Sequence, residues 1–322
     1  MNVENRLSSG SYVLLPTRKY PKVFLNRSSF GNAMKLYNPF SLKGKVLKAI
    51  ATFFPWFNLM YVEGSDFSNF VDNLLGFNAT LSLYLATDSK KLVYQICKED
   101  SIYGVLKIST SSDFNELVDT EIGALKFLGK ETDVSVPHLM LEGDFQGCRF
   151  FISEYIEGCI GHVSDEEAFA IAKQLALGIS VPLIETAIYK SVSDVLSEND
   201  SARELLERLP KDSIVNIALV HGDFTPWNII NAKEFVLFDL ERFDFAGLEQ
   251  FDLITFFFQS GRFLYHLDGI ELVDFVVDKI GKAFRFEVFV LFLFQYLILE
   301  EFSEDMILQK VAYLVNRYES VN

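Results

Sequence analysis

The stretch ALVHGDFTPWNIINAKEFVLFDLERF, residues 218–243, sets the hardest condition on how this chain folds. It places His221, Asp223, Asn228, Asp239 and Glu241 among apolar runs that read as buried strands. A carboxylate buried without a partner is costly, so these groups require a counter-charge, a metal or a proton.

The bulk of the chain narrows the possibilities. At 322 residues it is long enough for two lobes or for one domain with an extension. Half of it is apolar and 32 residues are phenylalanine, which supplies a large core and excludes global disorder. A net charge of −15 argues against a general nucleic-acid binder, which needs a cationic surface. The same charge suits a cationic substrate, and equally it keeps an apolar protein in solution. Cys97, Cys148 and Cys159 are widely spaced with no CxxC pair, which argues against a disulfide framework or a thiolate zinc site and for a reducing compartment. The opening MNVENRLSSGSYVLL shows no cationic start followed by an apolar stretch, so a cytoplasmic location is expected. The run VFVLFLFQYLIL, 288–299, is too short to span a membrane and holds Gln295, so it reads as a buried core helix.

Along the chain, residues 1–75 differ from the rest and are expected to form an extension. YVLLPTRKYPKVFLNRSS reads as short extended pieces broken by Pro16 and Pro21. The segment 41–63 opens as a basic amphipathic helix with Leu42, Val46 and Ile50 at helical spacing. Such a helix can lie on a membrane surface or a partner, but packing of its Phe and Trp residues on the main body is the expectation, with no transmembrane span. From residue 80, TLSLYLAT, KLVYQICKE and IYGVLKIS alternate with period two and predict a three-stranded antiparallel meander. A helix follows, with an N-cap at Ser112 or Asp113 and apolar positions Leu117, Ile122, Leu125 and Leu128. VPHLMLEGDFQGCRFFISEYIEG predicts two more strands, so residues 76–157 read as a small sheet-based lobe. Residues 158–322 read as mainly helical, beginning with SDEEAFAIAKQLALGI and its capping box of Ser164 and Glu167.

Within HGDFTPWN, Asp223 and Asn228 stand five residues apart after the apolar IVNIALV. Phosphoryl-transfer enzymes of the kinase type use this spacing, an aspartate for the attacking hydroxyl and an asparagine for a metal on the phosphates. Asp239 ends a second apolar run, the position of the metal-binding aspartate in the same scheme. A carboxylate and an amide oxygen suit hard Mg²⁺ better than zinc.

These residues resemble the aminoglycoside phosphotransferase and choline kinase family, small-molecule kinases with a protein-kinase-like fold. HGDFTPWN is similar to that family's HGDxxxxN loop, and LFDLERFDFAGLEQFDL to its metal-binding segment with a downstream Asp-Leu. The resemblance implies an α+β, bilobal fold with a small antiparallel-sheet lobe and a mainly helical lobe, here preceded by the N-terminal extension. It also implies ATP and Mg²⁺ as cofactors and a small-molecule hydroxyl as acceptor. Asp223 would be the catalytic base, Asn228 and Asp239 the Mg²⁺ ligands, His221 a support of the loop and Asp252 a structural anchor. Lys107 would bind the α- and β-phosphates and pair with Glu121, for which Glu116 is a rival on the same helix. Main-chain groups of Glu154 and Ile156 in SEYIEG would hold adenine. Glu241 reads either as a contact to a second metal or the substrate, or as an ordinary turn acid. His138, His162 and His266 read as structural.

The turn ATDSKK lacks the glycines that cover phosphates in kinase-like lobes, so Ser89 or Lys90 would contact phosphate instead. HGD in place of HRD, and no A-P-E signature, argue against a protein kinase. The tryptophan form of the loop resembles kinase-like proteins of bacterial surface-polysaccharide clusters, which implies a sugar or glycan acceptor; an amino alcohol or aminoglycoside is the alternative. The second functional class is a catalytically inactive scaffold that kept the fold.

Overall fold

The computed structural model describes residues 6–37, 42–53, 58–85, 90–299 and 303–319. They form an α+β protein of two compact units, one of residues 1–131 and 136–157, the other of residues 132–135 and 158–322.

In the first unit the chain runs β1 (Gly10–Pro16), β2 (Pro21–Asn26), α1 (Phe30–Leu36), α2 (Leu42–Phe53), β3 (Leu59–Val62) and α3 (Asp66–Leu75). It continues through β4 (Thr80–Leu85), β5 (Lys91–Lys98), β6 (Ser101–Ser109), α4 (Asn115–Glu131), β7 (Leu139–Phe145) and β8 (Cys148–Ser153). All eight strands join one sheet, in the order β3-β1-β2-β4-β5-β6-β8-β7, with antiparallel neighbours. The meander β4–β6, the helix α4 and the hairpin β7–β8 lie where the alternation and the helical period put them.

Residues 1–75 are not set apart from that sheet. Three of its strands and three helices of the unit come from residues 10–75. Strand side chains alternate between faces, so Tyr12 and Leu14 enter one core while Val13 and Leu15 enter the other. The first core is closed by Phe67 and Val71 of α3 over Phe24, Leu83, Tyr94, Leu106 and Phe150. α3 starts on a capping box, in which Ser65 Oγ accepts from Ser68 N and Ser68 Oγ accepts from Ser65 N. The second core holds Ala33 and Met34 of α1 and Ala51 of α2. Of the aromatics expected to pack α2 on the main body, Phe53 is exposed, and Phe54, Trp56 and Phe57 lie outside the described residues.

The second unit runs β9 (Cys159–Ile160), α5 (Asp165–Gln174), β10 (Ala176–Pro182), α6 (Ala187–Val195), α7 (Asp200–Glu207), β11 (Ile214–Val220), β12 (Ile229–Asn231), β13 (Phe235–Leu237) and β14 (Asp244–Leu248). α8 (Phe251–Phe263), α9 (Gly269–Ile280), α10 (Phe286–Ile298) and α11 (Glu304–Glu319) complete it. The capping box at the start of α5 forms as expected, Glu167 N donating to Ser164 Oγ and Ser164 N to Glu167 Oε2. The helix expected to run to Ile179 stops at Gln174 instead. Gly178 adopts φ +67°, and β-branched Ile179 and Val181 with Pro182 favour an extended chain, which pairs antiparallel with β11 through a bulge.

α10 buries every residue from Val288 to Phe294, the core helix its sequence implies. No helix among the described residues is long and apolar enough to cross a membrane.

Phe67 contacts Tyr94 and Phe145 with ring centroids 5.1 and 5.2 Å apart and is fully buried. Phe67→Ala is therefore expected to destabilise the chain by about 3–5 kcal/mol in denaturant melts. A loss under about 1 kcal/mol would mean that α3 is an appendage rather than part of the core.

Candidate active site

β11 delivers the chain from a buried strand into the loop at His221, which is itself fully buried. Gly222 turns the chain at φ +80°, and a Cβ there would lie 2.2 Å from the Arg242 carbonyl oxygen, so only glycine fits. Asp252, in the first turn of α8, anchors this turn: its Oδ2 accepts from His221 N at 2.8 Å and its Oδ1 from Gly222 N at 3.2 Å. Burial pushes the Asp252 carboxyl up to about 6, against the opposing pull of His221 and the two backbone N–H groups.

The His221 ring ties the loop to the next segment. Nε2 lies 3.0 Å from the Phe238 carbonyl oxygen, which can only accept, while Nδ1 accepts from Asp223 N at 3.3 Å. Nε2 is then the ring nitrogen that donates and Nδ1 the one that accepts. Phe238 N in turn donates to the Asn228 carbonyl at 3.2 Å.

Asn228 is buried and donates through Nδ2 to both the main-chain oxygen and Oδ2 of Asp223, at 2.9 and 2.8 Å. These two bonds orient the Asp223 carboxylate and leave the asparagine's Oδ1 as the oxygen outside the clamp. β12 and β13 form a short hairpin in which Ile229 pairs with Leu237. Asn228 just before it and Asp239 two residues after it therefore stand at the same open end. Asp239 holds φ +65°, which aspartate tolerates better than most residues and which marks a position under constraint.

The donor set of this end is an amide oxygen and a carboxylate, both hard oxygens, which fits Mg²⁺. Among the described residues no group of three or more His, Cys, Asp or Glu side chains is placed to hold a metal. Mg²⁺ held by one or two protein oxygens, with phosphate oxygens completing its shell, requires none. Glu241 lies half-buried in the turn beyond Asp239.

The first unit holds the second set of expected site residues. Lys107 Nζ on β6 is 2.6 Å from Glu121 Oε1 on α4, with side-chain exposures of 10% and 4%. Helix phase separates the two candidate acids: Glu121 shares the buried face with Val118, Ile122 and Leu125, whereas Glu116 is exposed. Glu154 N donates to the His138 carbonyl at 2.9 Å and its Oε1 accepts from His138 N at 2.8 Å, so its own carbonyl is the main-chain group left for a base. Ile156 follows, half-buried, in the segment after β8. Ser89 lies outside the described residues, and Lys90 is exposed.

Two features were not read from the sequence. The Phe238 carbonyl is a positioning group, and main-chain atoms leave no signature in residue type. Phe263, at the end of α8, meets Trp227 edge-on at 5.8 Å, so the loop tryptophan has an aromatic neighbour beside the Asp223–Asn228 clamp.

No protein-family profile matches the chain, and no curated protein is similar to it at a significant level. Among solved structures it is similar to a Haemophilus somnus protein named as a fructosamine-3-kinase, at 12% identity and TM-score 0.47, over 78% of this chain and 95% of that one. It is also similar to a macrolide 2'-phosphotransferase from Brachybacterium faecium, at 15% identity and TM-score 0.46, over 76% and 96% of the two chains. A third is an aminoglycoside phosphotransferase from Streptomyces rimosus, at 15% identity and TM-score 0.43, over 66% and 90%.

The Asp252 anchor has a pH signature. Its carboxyl binds a proton more tightly in the folded chain, near 6, than at the ordinary 3.8 of an unfolded one. The stabilisation this gives is full below about pH 4 and is lost as pH rises through about 6. Asp252→Asn removes that titration. Thermal melts should show wild-type stability falling relative to the variant between about pH 4 and 6, and a constant difference would mean that Asp252 titrates normally.

Proposed function

We propose that the chain is an ATP- and Mg²⁺-dependent phosphotransferase that phosphorylates a hydroxyl of a small molecule. The observation that carries this reading is the clamp of Asn228 Nδ2 on Asp223 Oδ2, in a loop pinned by Asp252 and joined through His221 and Phe238 to Asp239. A scaffold protein has no physical need to assemble and orient these groups.

In this reading Asp223 accepts the proton of the attacking hydroxyl. With Oδ2 held by Asn228, the second carboxylate oxygen is the one directed to the acceptor. Asn228 Oδ1 and the Asp239 carboxylate would hold Mg²⁺, which when bound neutralises charge on the transferring phosphates. Lys107, kept in place by Glu121, binds the α- and β-phosphates; Ser89 or Lys90 would add a contact there. The Glu154 carbonyl and Ile156 N–H would hold adenine. Rate enhancement then comes from positioning and charge stabilisation rather than from a covalent intermediate.

The acceptor is a sugar or glycan, or alternatively an amino alcohol or aminoglycoside. Trp227 and Phe263 offer an aromatic surface beside Asp223, against which a sugar ring packs by its apolar face and a protonated amine by cation–π attraction. A cytoplasmic setting, where ATP is available, accords with this chemistry.

A screen of sugars, amino alcohols and aminoglycosides for acceptor-stimulated ATP consumption tests the reading. With the acceptor found, Asp223→Ala should lower kcat by about 10²–10⁴-fold while the KM for ATP stays within a few-fold. Turnover close to wild type would remove Asp223 from the reaction. Asp239→Asn keeps a residue that tolerates the left-handed backbone and should weaken Mg²⁺-dependent ATP binding without unfolding the chain. Unchanged affinity would refute its role as a ligand.

A further inference from the structure

Charge is distributed very unevenly along this acidic chain. Residues 1–62 hold nine lysines and arginines against the single acid Glu4, a net +8, so with −15 for the whole the other 260 residues carry −23. The cationic segment contains α2, whose sequence LKGKVLKAIATF is basic and amphipathic.

α2 packs in an inverted sense. Gly44 is buried and Ala51 is fully buried in the core formed with Val13, Leu15 and Val23, with Leu47 and Lys48 half-buried on the same side of the helix. Three of its large apolar side chains face water instead, while Leu47 is half-buried. Val46, Ile50 and Phe53, spaced i, i+4 and i+7, are 50%, 39% and 74% exposed. That spacing puts them on one stripe of the helix, with exposed Lys45 beside it. Tyr61 of the edge strand β3 is also 70% exposed, and by strand alternation it shares the sheet face of Leu59, which packs in the same core as Ala51. Arg18 and Lys19 in the β1–β2 turn and Lys22 at the start of β2 are exposed as well.

An outward apolar stripe with exposed Lys45 on the same helix, in a segment of charge opposite to that of the remaining chain, matches what an anionic bilayer offers. Its headgroups attract the cations, and the acyl boundary receives the apolar side chains. The −23 of the other residues would repel such a surface, so the cationic segment also selects which part of the chain approaches it. We propose that the exposed face of α2 binds the surface of an anionic lipid bilayer, so that the protein associates peripherally with membranes. For Phe53 this replaces the sequence-based expectation that the helix packs its Phe and Trp residues on the main body.

Co-sedimentation of the full chain with vesicles of phosphatidylcholine alone, and of phosphatidylcholine mixed with phosphatidylglycerol, tests this. Binding is expected to the mixed vesicles only and to weaken as salt is raised. The double variant Ile50→Ser/Phe53→Ser should bind at least about tenfold more weakly, since each exposed apolar side chain loses its transfer into the acyl boundary. Lys45→Glu, a surface change that leaves the packed face intact, should weaken binding to mixed vesicles as well. Thermal melts verify that the variants stay folded. Absence of binding to the mixed vesicles, or equal binding by wild type and both variants, would overturn the proposal. So would sedimentation velocity revealing an oligomer that the double variant dissolves while vesicles are not bound, because the stripe would then be a contact between copies of the chain.

Discussion

One carboxylate holds the candidate site together. Asp252 takes the backbone N–H groups of His221 and Gly222 onto its two oxygens, and so fixes the direction in which the chain leaves β11. From that turn, His221 reaches Phe238, Asp223 N reaches His221, and Asn228 folds back on Asp223. Each bond satisfies a main-chain or side-chain group that burial would otherwise leave unpaired, which is why so polar a segment can follow a buried strand. Remove the anchor and the N–H groups of His221 and Gly222 lose their carboxylate acceptor on α8.

A second polar pair stands in the sheet unit. Lys107 and Glu121 are almost completely withdrawn from water, and an ion pair so placed recovers its desolvation cost only with good geometry. Apolar residues of similar volume would stabilise that position at least as well. Glu121 Oε1 holds the Lys107 ammonium at 2.6 Å. Both units thus hold ionisable groups in set orientations, Asp223 through Asn228 and Lys107 through Glu121.

What the sequence disclosed follows from the range of the interactions involved. The meander β4–β6, the helix α4 and the capping box at Ser164 are local patterns, and they were legible. The HGDFTPWN loop was legible because its residue types and spacing are dictated by chemistry. Strand β10 was read as helix because its extended state depends on pairing with β11, more than thirty residues on in the chain (Ser180 with Asn216, for example). For the same reason the membership of β1–β3 in the eight-stranded sheet was hidden: nothing local in YVLLP specifies β2 and β3 as neighbours. Glu116 stood as a rival to Glu121, and the phase of α4 separates them by placing one outside and one inside. α2 marks another limit, since periodicity reveals that a helix has an apolar stripe but not which way it faces.

The central claim is that Asn228 and Asp239 bring Mg²⁺ to a bound nucleotide. Thermal-shift titration with ATP, with and without Mg²⁺, addresses it before any acceptor is known, because a ligand of the native state must raise its stability. The account requires ATP to raise the melting temperature in a concentration-dependent way with Mg²⁺, and much less without it. A chain that ATP leaves unshifted, or shifts equally in the presence of a chelator, would contradict it.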